Sequence, residues 1–220
     1  MTVVSTFGDG DKSGADATVY SKDGDGNAHV TTPLSIGKGL STGDGSIASG
    51  NVNGEGASIQ SEGTGSIASG YAYGEGAIIQ STGAGSIASG HASDGASIQS
   101  EGAGSIASGN ADGEGAIIKA NSDGAMASGY ADTTNGNVEA SGLASQAFGI
   151  GAKATQDAQM VVGKCNVVDA DGDYALIVGN GADNEHRSNA FAIDRNGNLV
   201  LFNAGTPVVL TPAKLATLIA

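Results

Sequence analysis

One six-residue phrase returns five times between residues 45 and 129. It reads Gly-Ser-Ile-Ala-Ser-Gly at 45–50, 65–70, 85–90 and 104–109, and Gly-Ala-Met-Ala-Ser-Gly at 124–129. Successive copies are 20, 20, 19 and 20 residues apart. A fixed period of this length is typical of repeat proteins, in which each unit buries its apolar face against its neighbours. The repeat therefore predicts an elongated stack of coils rather than a globular domain.

The composition favours narrow coils with small interiors. Among 220 residues there are 38 Gly and no Trp, and aromatic residues make up 4%. Such a chain cannot fill a large core with bulky side chains. Hydrophobic residues still reach 39%, which argues against a disordered chain.

Each coil offers two short runs of β-compatible residues separated by Gly-rich corners, as residues 65–84 illustrate. Stacking the coils pairs each run with its copy in the next coil, in parallel and in register, at about 4.8 Å per rung. The predicted fold class is all-β: a parallel β-solenoid, or β-roll, that is trimeric and ends in a hairpin and a short helix.

Period-2 alternation in the first run places Ile67 and Ser69 on one face and Ser66 and Ala68 on the other. We expect the copies of the isoleucine to form an internal apolar ladder, which comprises Ile47, Ile67, Ile87, Ile106 and Met126. In the second run we expect the invariant isoleucines to be interior, namely Ile59, Ile79, Ile98 and Ile118. The position before them is expected to be peripheral or against another chain, and holds Ser58, Ile78, Ser97 and Ile117.

Two isoleucines per coil bury little apolar surface compared with the entropy lost when a coil is ordered. Packing of several chains along the rod would bury the peripheral row as well. We therefore predict a homo-oligomer, with a homotrimer as the expected form.

The predicted divisions are an N-terminal cap or attachment segment at 1–44, the repeat β-roll at 45–163, a β-rich post-roll segment at 164–205 and a short C-terminal helix at 206–220. Residues 190–202 read as a hairpin with a turn at 194–197. Thr211 followed by Pro212 predicts the start of the helix.

Charge and cysteine content exclude several classes of protein. Nine basic against 23 acidic residues give a net charge of −14, which opposes binding to nucleic acid. No run approaches the roughly 20 apolar residues of a membrane span, and the first residues lack a secretion signal, so we expect no membrane insertion. A lone Cys165 allows no internal disulfide framework, and an inert thiol in a strand is expected.

No pattern indicates catalysis or a cofactor. The three histidines lie in unrelated contexts, and no Ser-His-Asp, Cys-His or zinc-ligand spacing joins them. Residues 169–173 imitate a calcium loop, but Tyr174 and Asn180 stand where its glycine and bidentate Glu belong, so a loop between strands is expected. We predict no enzyme, no catalytic residue, no metal and no cofactor.

An acid recurs at one corner of the coils, with no Lys or Arg from 39 to 118. The residues are Glu55, Glu75, Asp94 and Glu114. The favoured interpretation is a solvated acidic edge, and weak cation binding is the alternative.

The residues that follow each phrase vary, with a small central residue between two polar or aromatic ones. The predicted receptor contacts form a column on one face: Tyr71, Tyr73, His91, Asn110 and Tyr130. Aromatic rings beside amides suit contact with a saccharide or a protein. The alternative is that these are ordinary solvent-facing strand ends.

Residues 142–163 have an Ala-x-Ala-x-Gly-like cadence that resembles the head repeats of trimeric autotransporter adhesins of the YadA type. The 20-residue spacing of the earlier coils is longer than the repeat of that family. The resemblance implies a trimeric, left-handed parallel β-roll. Residues 174–181 and 187–202 are similar to segments that follow such rolls in tail-fibre and receptor-binding proteins of bacteriophages and prophages.

These observations predict a structural and adhesive tail-fibre protein, present in the phage virion and made in the host cytoplasm. The expected partners are copies of itself, other tail or baseplate proteins, and a saccharide or protein of the host surface. The main alternative is a head fragment of a bacterial trimeric adhesin at the cell surface. An ice-binding solenoid would require regularly spaced Thr, whereas the coils contain Ser and Gly instead. A depolymerising spike enzyme would require paired carboxylates, and an abundance of acids does not establish such a pair.

Overall fold

The computed structural model describes residues 21–22, 28–29, 34–37, 39–203 and 205–218. Most of the segment predicted as a cap, 1–44, lies outside these residues. Within the described residues the chain is nearly all β, with one short helix near its C-terminus. The predicted all-β parallel β-solenoid is confirmed.

The strands are β1 Ser21–Lys22, β2 Ala28–His29, β3 Leu34–Gly37, β4 Leu40–Ser41, β5 Ile47–Asn53, β6 Ser58–Ser61, β7 Ile67–Tyr73, β8 Ile78–Ser81, β9 Ile87–Ser93, β10 Ser97–Ser100, β11 Ile106–Asp112, β12 Ile117–Ala120, β13 Met126–Asp132, β14 Val138–Ala140, β15 Gln146–Ile150, β16 Lys153–Ala154, β17 Met160–Lys164, β18 Tyr174–Asn180, β19 Asn189–Asp194, β20 Leu199–Asn203 and β21 Thr206–Leu210. The helix is α1, Pro212–Leu218.

Two stacked sheets form the solenoid, and each coil contributes one strand to each sheet. A seven-stranded small sheet contains the even strands from β4 to β16. A twelve-stranded large sheet contains the odd strands from β3 to β17, followed by β18 to β21. Ile67 pairs with Ile47 and Ile87, so equivalent residues stand directly above one another. The predicted parallel, in-register pairing is confirmed.

One shorter corner accounts for the single 19-residue spacing. The corner after β9 holds only Asp94 and Gly95 before the buried Ala96, whereas the corner after β7 has three residues before Ala77. Asp94 adopts a φ of 45° to close the shorter turn. Because the missing residue lies in the corner, Ser97 still pairs in register with Ile78 on one side and with Ile117 on the other.

The interior is lined by alanine from the large sheet and isoleucine from the small sheet. Ala68 and Ile79 are both 0% exposed, whereas Ile67 is half-buried on the outer face. The prediction that the Ile67 ladder is internal is therefore wrong, and the prediction for the Ile79 ladder is confirmed. The peripheral row is half-buried at Ser58, Ile78 and Ile117 and buried at Ser97.

The narrow gap between the sheets explains this arrangement. A Cβ added to Gly50 of the large sheet would lie 2.8 Å from Cδ1 of Ile59. The isoleucine from the small sheet thus occupies the space in which a side chain from the large sheet would lie. Small residues therefore predominate opposite it, with Val52 as the largest inner residue of the large sheet in the repeat coils, and the isoleucine of the large sheet faces outwards.

Buried serines form a second ladder at the other corner. The hydroxyl oxygens of Ser81 and Ser86 are 2.6 Å apart, and Ser86 Oγ also donates to the carbonyl oxygen of Gly83 at 2.7 Å. The same pairing joins Ser41 to Ser46, Ser61 to Ser66 and Ser100 to Ser105. These bonds satisfy hydroxyls that would otherwise be costly to bury.

The large sheet continues beyond the small one at the C-terminus. β18 is parallel to β17, and β19 to β21 follow as antiparallel strands. The predicted hairpin is confirmed, with Gly197 N donating to the carbonyl oxygen of Asp194 at 3.0 Å. The helix is confirmed as well, but β21 is a strand in a segment for which only a helix was predicted. Among the described helices, none is long and apolar enough to cross a membrane.

Replacing Gly70 by Ala should destabilise the chain far more than replacing Gly65 by Ala. Both residues have a positive φ, of 137° and 65°. A Cβ on Gly70 would lie 2.0 Å from the carbonyl oxygen of Gly90, whereas a Cβ on Gly65 meets nothing within 4 Å. We expect a loss of at least about 4 kcal/mol for Gly70→Ala and about 1–2 kcal/mol for Gly65→Ala, measured by denaturant unfolding. Equal losses would contradict the close stacking of the strands.

Candidate recognition surface

The outer face of the large sheet carries all five predicted receptor contacts. Tyr71, His91, Asn110 and Tyr130 pair in register on successive strands, and Tyr73 lies two residues further along the same strand as Tyr71. Period-2 alternation places them on the outer face, because the alanine between each outer pair is buried. The structure therefore brings four of the residues into one column and Tyr73 into the neighbouring column of the same face, while their binding role stays a prediction.

Three rings form a cluster at one end of this column, which we call the ring cluster: Tyr71, Tyr73 and His91. The rings of Tyr71 and His91 are stacked, with centroids 5.3 Å apart and an interplanar angle of 11°. The centroids of Tyr71 and Tyr73 are 5.8 Å apart with an angle of 37°. Tyr73 is 45% exposed, so its ring remains available to a ligand. The ring cluster is a pre-arranged, partly exposed aromatic surface.

The other end of the column is acidic. Ser93 Oγ donates to Asp112 Oδ1 at 2.6 Å, and Tyr130 Oη lies 3.5 Å from Asp112 Oδ2. Desolvation raises the pKa of Tyr130, and the negative charges of Asp132 and Asp112 raise it further. Sequence reasoning passed over these two aspartates as contact residues, although each lies two residues after a predicted contact and therefore shares its face.

Asp132 organises the loop that follows β13. Its carboxylate accepts hydrogen bonds from Thr134 N at 2.9 Å and from the side-chain Nδ2 of Asn135 at 2.8 Å. Desolvation alone would raise the pKa of Asp132, but these bonds and that from the backbone N of Asn135 outweigh it, so the pKa lies below its ordinary value of 3.8. The charged form of Asp132 is therefore bound by the folded loop.

The corner acids line an open groove beside the ring cluster. Glu75, Asp94 and Glu114 border a space of about 550 Å³. Asp94 N donates to the carbonyl oxygen of Tyr73 at 2.9 Å, so the groove begins where the ring cluster ends. Within residues 39–203 and 205–218, no three of the His, Cys, Asp and Glu side chains are arranged to hold a metal ion. The acids give this edge a negative potential.

A second groove, of about 600 Å³, lies near the C-terminal strands between the loop after β17 and the strands β20 and β21. Its walls include Val167, Tyr174, Phe202 and Pro207. Asp169 caps the loop on its wall, because its carboxylate accepts from the backbone N of Gly172, Asp173 and Tyr174 at 2.9–3.1 Å. The segment that imitates a calcium loop is thus a loop between strands, as expected.

The remaining reactive side chains lie apart from the column. His186 Nδ1 pairs with Asp183 Oδ1 at 2.8 Å on an exposed loop. Cys165 is buried, and desolvation raises the pKa of its thiol, which keeps it protonated and unreactive. Cys165 lies just after β17 rather than within a strand, which corrects its predicted position.

Comparisons with protein-family models, with curated proteins and with solved structures give no match to this chain. The resemblance to adhesin and tail-fibre repeats therefore depends on the sequence motifs alone.

Replacing Asp132 by Asn should reduce the fall in melting temperature on acidification. A carboxylate with a lowered folded-state pKa contributes stability above its unfolded pKa, and that stability is lost as the pH falls through the folded value. On acidification from pH 5 to below the ordinary value of 3.8, the melting temperature of the unmodified chain should fall by about 2–4 °C more than that of Asp132→Asn. Parallel melting curves would contradict the assigned role of the loop bonds.

Proposed function

We propose that this protein is a structural and adhesive segment of a bacteriophage or prophage tail fibre. In this proposal it is a homotrimer that joins other tail or baseplate proteins and contacts a saccharide or protein of the host surface without catalysis. Its location would be the virion. The observation that carries the proposal is the ring cluster, which a stiff, repetitive scaffold holds on an outer face rather than in a closed cavity.

The repeat architecture supports a mechanical role. Two continuous parallel sheets run along the stack, so load passes through many in-register backbone hydrogen bonds. The outer side chains can vary from coil to coil without disturbing the interior, because the buried positions repeat a small set of Ala, Ile, Val and Ser. A scaffold of this kind suits recognition by exposed side chains.

The charge around the ring cluster restricts the chemical class of the proposed receptor. The groove acids Glu75, Asp94 and Glu114 lie next to the ring cluster, and they would repel a strongly anionic polymer. Tyrosine and histidine rings instead offer apolar faces for the C–H surfaces of sugar rings. We therefore expect the contact to involve an uncharged part of a saccharide, or a protein loop.

The second candidate is the head of a bacterial trimeric surface adhesin. The cadence of residues 142–163 favours it, and the structure pairs Gln146 with Met160 fourteen residues later, a shorter coil than those before it. The encoded full-length chain separates the two candidates, because an adhesin requires an export signal and a membrane anchor.

Removing the three tyrosine rings from the outer face should weaken adhesion without affecting the scaffold. We expect the triple variant Tyr71→Ala, Tyr73→Ala, Tyr130→Ala to bind at least about tenfold more weakly to bacterial cells and to their extracted surface polysaccharides. Each substitution removes an aromatic face that would contact the receptor. The measurement is binding of the labelled full chain to a panel of strains.

The matched control is the triple variant Gln60→Ala, Gln80→Ala, Gln99→Ala, which changes the outer face of the small sheet and should bind as the unmodified chain does. Unchanged adsorption of the tyrosine variant, or no adsorption of the unmodified chain to any strain, would overturn the proposal.

A further inference from the structure

Two neighbouring columns of side chains run along the outer face of the large sheet from β5 to β21, and we call them together the uncharged stripe. The first column comprises Ile47, Ile67, Ile87, Ile106, Met126, Gln146, Met160, Leu176, Ile193, Leu199 and Leu210. The second comprises Ser49, Ser69, Ser89, Ser108, Ser128, Phe148, Val162, Val178, Phe191, Leu201 and Val208. None of these residues is charged.

The opposite face of the solenoid has a different character. The outer column of the small sheet contains Gln60, Gln80, Gln99, Lys119 and Glu139 in register. Gln80 Nε2 donates to Gln60 Oε1 at 3.2 Å, and Lys119 forms an ion pair with Glu101 at 2.9 Å. The neighbouring column of this face alternates Ser58, Ile78, Ser97 and Ile117, so its apolar residues are interrupted by serine. The first column of the large sheet is instead apolar at every position but Gln146, so the large sheet presents the more continuous apolar outer surface.

We propose that further copies of this chain pack against the uncharged stripe, and that the stripe is the self-association surface of the fibre. This inference deepens the homotrimer of the proposed function and depends on it. It names the residues through which the copies meet, and it places the copies on the large sheet rather than on the peripheral row of the small sheet, which the sequence analysis expected to be buried between chains.

Charge favours a second copy of this chain as the occupant. The chain has a net charge of −14, so two copies repel each other wherever their acids approach. An uncharged surface is where that repulsion is smallest. The stripe itself carries no acid, whereas the corners on both sides of it do: Glu75, Asp94 and Glu114 at one, and Asp44, Glu62 and Glu101 at the other. A basic partner would instead be drawn to the acidic edge and not to the stripe.

Spacing and size point to the same occupant. The side chains of the stripe repeat with each strand, at about 4.8 Å, over eleven of the twelve strands of the large sheet. A partner that matches this spacing along the whole stripe must have the same repeat, as another copy has. At roughly 48 Å by 14 Å the stripe offers roughly 700 Å², close to the approximately 800 Å² per partner of a stable interface.

The C-terminal half of the stripe should contribute most to association. From β15 onwards the second column changes from serine to Phe148 and then to aliphatic and aromatic residues. Met160, Leu201 and Val208 are 37%, 41% and 47% exposed in the single chain. The helix α1 follows this region and buries no residue of its own, so it is free to pack in the assembly as well. The serine half would let the copies approach closely, and the apolar half would supply the buried area.

Charge reversal at the stripe tests the inference. We expect the unmodified full chain to sediment as an oligomer at micromolar concentration, and Leu201→Glu and Met160→Glu each to raise its dissociation constant at least about 100-fold, because a buried carboxylate lacks a partner. Gln80→Glu adds the same charge to the small sheet and should leave the oligomer unchanged. Circular dichroism checks that each variant retains its strand content.

The native methionines provide a readout that needs no variant. Assembly should protect Met126 and Met160 of the first column from oxidation by hydrogen peroxide, and dilution below the dissociation constant should remove that protection. A monomeric unmodified chain, or an oligomer that tolerates both glutamates and leaves these methionines reactive, would overturn the inference. Sedimentation needs no receptor, so an oligomer that fails to adhere to cells would count against the proposed adhesion and not against the stripe.

Discussion

The narrow gap between the two sheets is the constraint on which the rest of the structure depends. One isoleucine per coil, such as Ile79 of the small sheet, fills the gap and is fully buried. The large sheet can then contribute only Ala68, Ala72 and the glycine between them in that coil. Because little further volume is left inside the repeat coils, the isoleucines and tyrosines of the large sheet in these coils lie on its outer face, and the larger inner residues Val52, Val161 and Ile177 occur near the ends of the stack. The character of that outer face is a consequence of how thin the interior is.

The chemical character of the outer face consequently changes along each strand, from apolar through small polar to aromatic and acidic. In β7 the order is Ile67, Ser69, Tyr71 and Tyr73, and the acidic corner with Glu75 follows. The proposed association of copies at the apolar edge and the proposed contact with a receptor at the aromatic edge would therefore use different ends of the same strands. Stacking repeats this order from coil to coil, so each property becomes a column parallel to the solenoid axis.

The candidate site could be predicted from the sequence for a simple reason. Four of the five predicted contacts occupy equivalent positions of consecutive repeats, and in-register stacking converts equal positions into spatial neighbours. The fifth, Tyr73, lies two residues after Tyr71 and shares its face by alternation. The stacked orientation of the Tyr71 and His91 rings could not be predicted from the sequence, because it depends on side-chain rotamers that the repeat does not specify. The hydrogen bonds of Asp132 depend likewise on the conformation of a loop that differs from the other corners.

The period of the repeat and the positions of its glycines were sufficient to determine the parallel solenoid and its paired strands, because these features follow from equal spacing. The C-terminal hairpin followed from local pattern, namely apolar alternation on both sides of the turn at 194–197. Which face of each strand lies inside was decided only by the tertiary structure. Alternation separates Ile67 from Ala68 but is symmetric between inside and outside, and hydrophobicity alone favours burial of the isoleucine. The choice depends on the volume left between the sheets by Ile59 and its copies, which is a property of the assembled coils and not of any single strand.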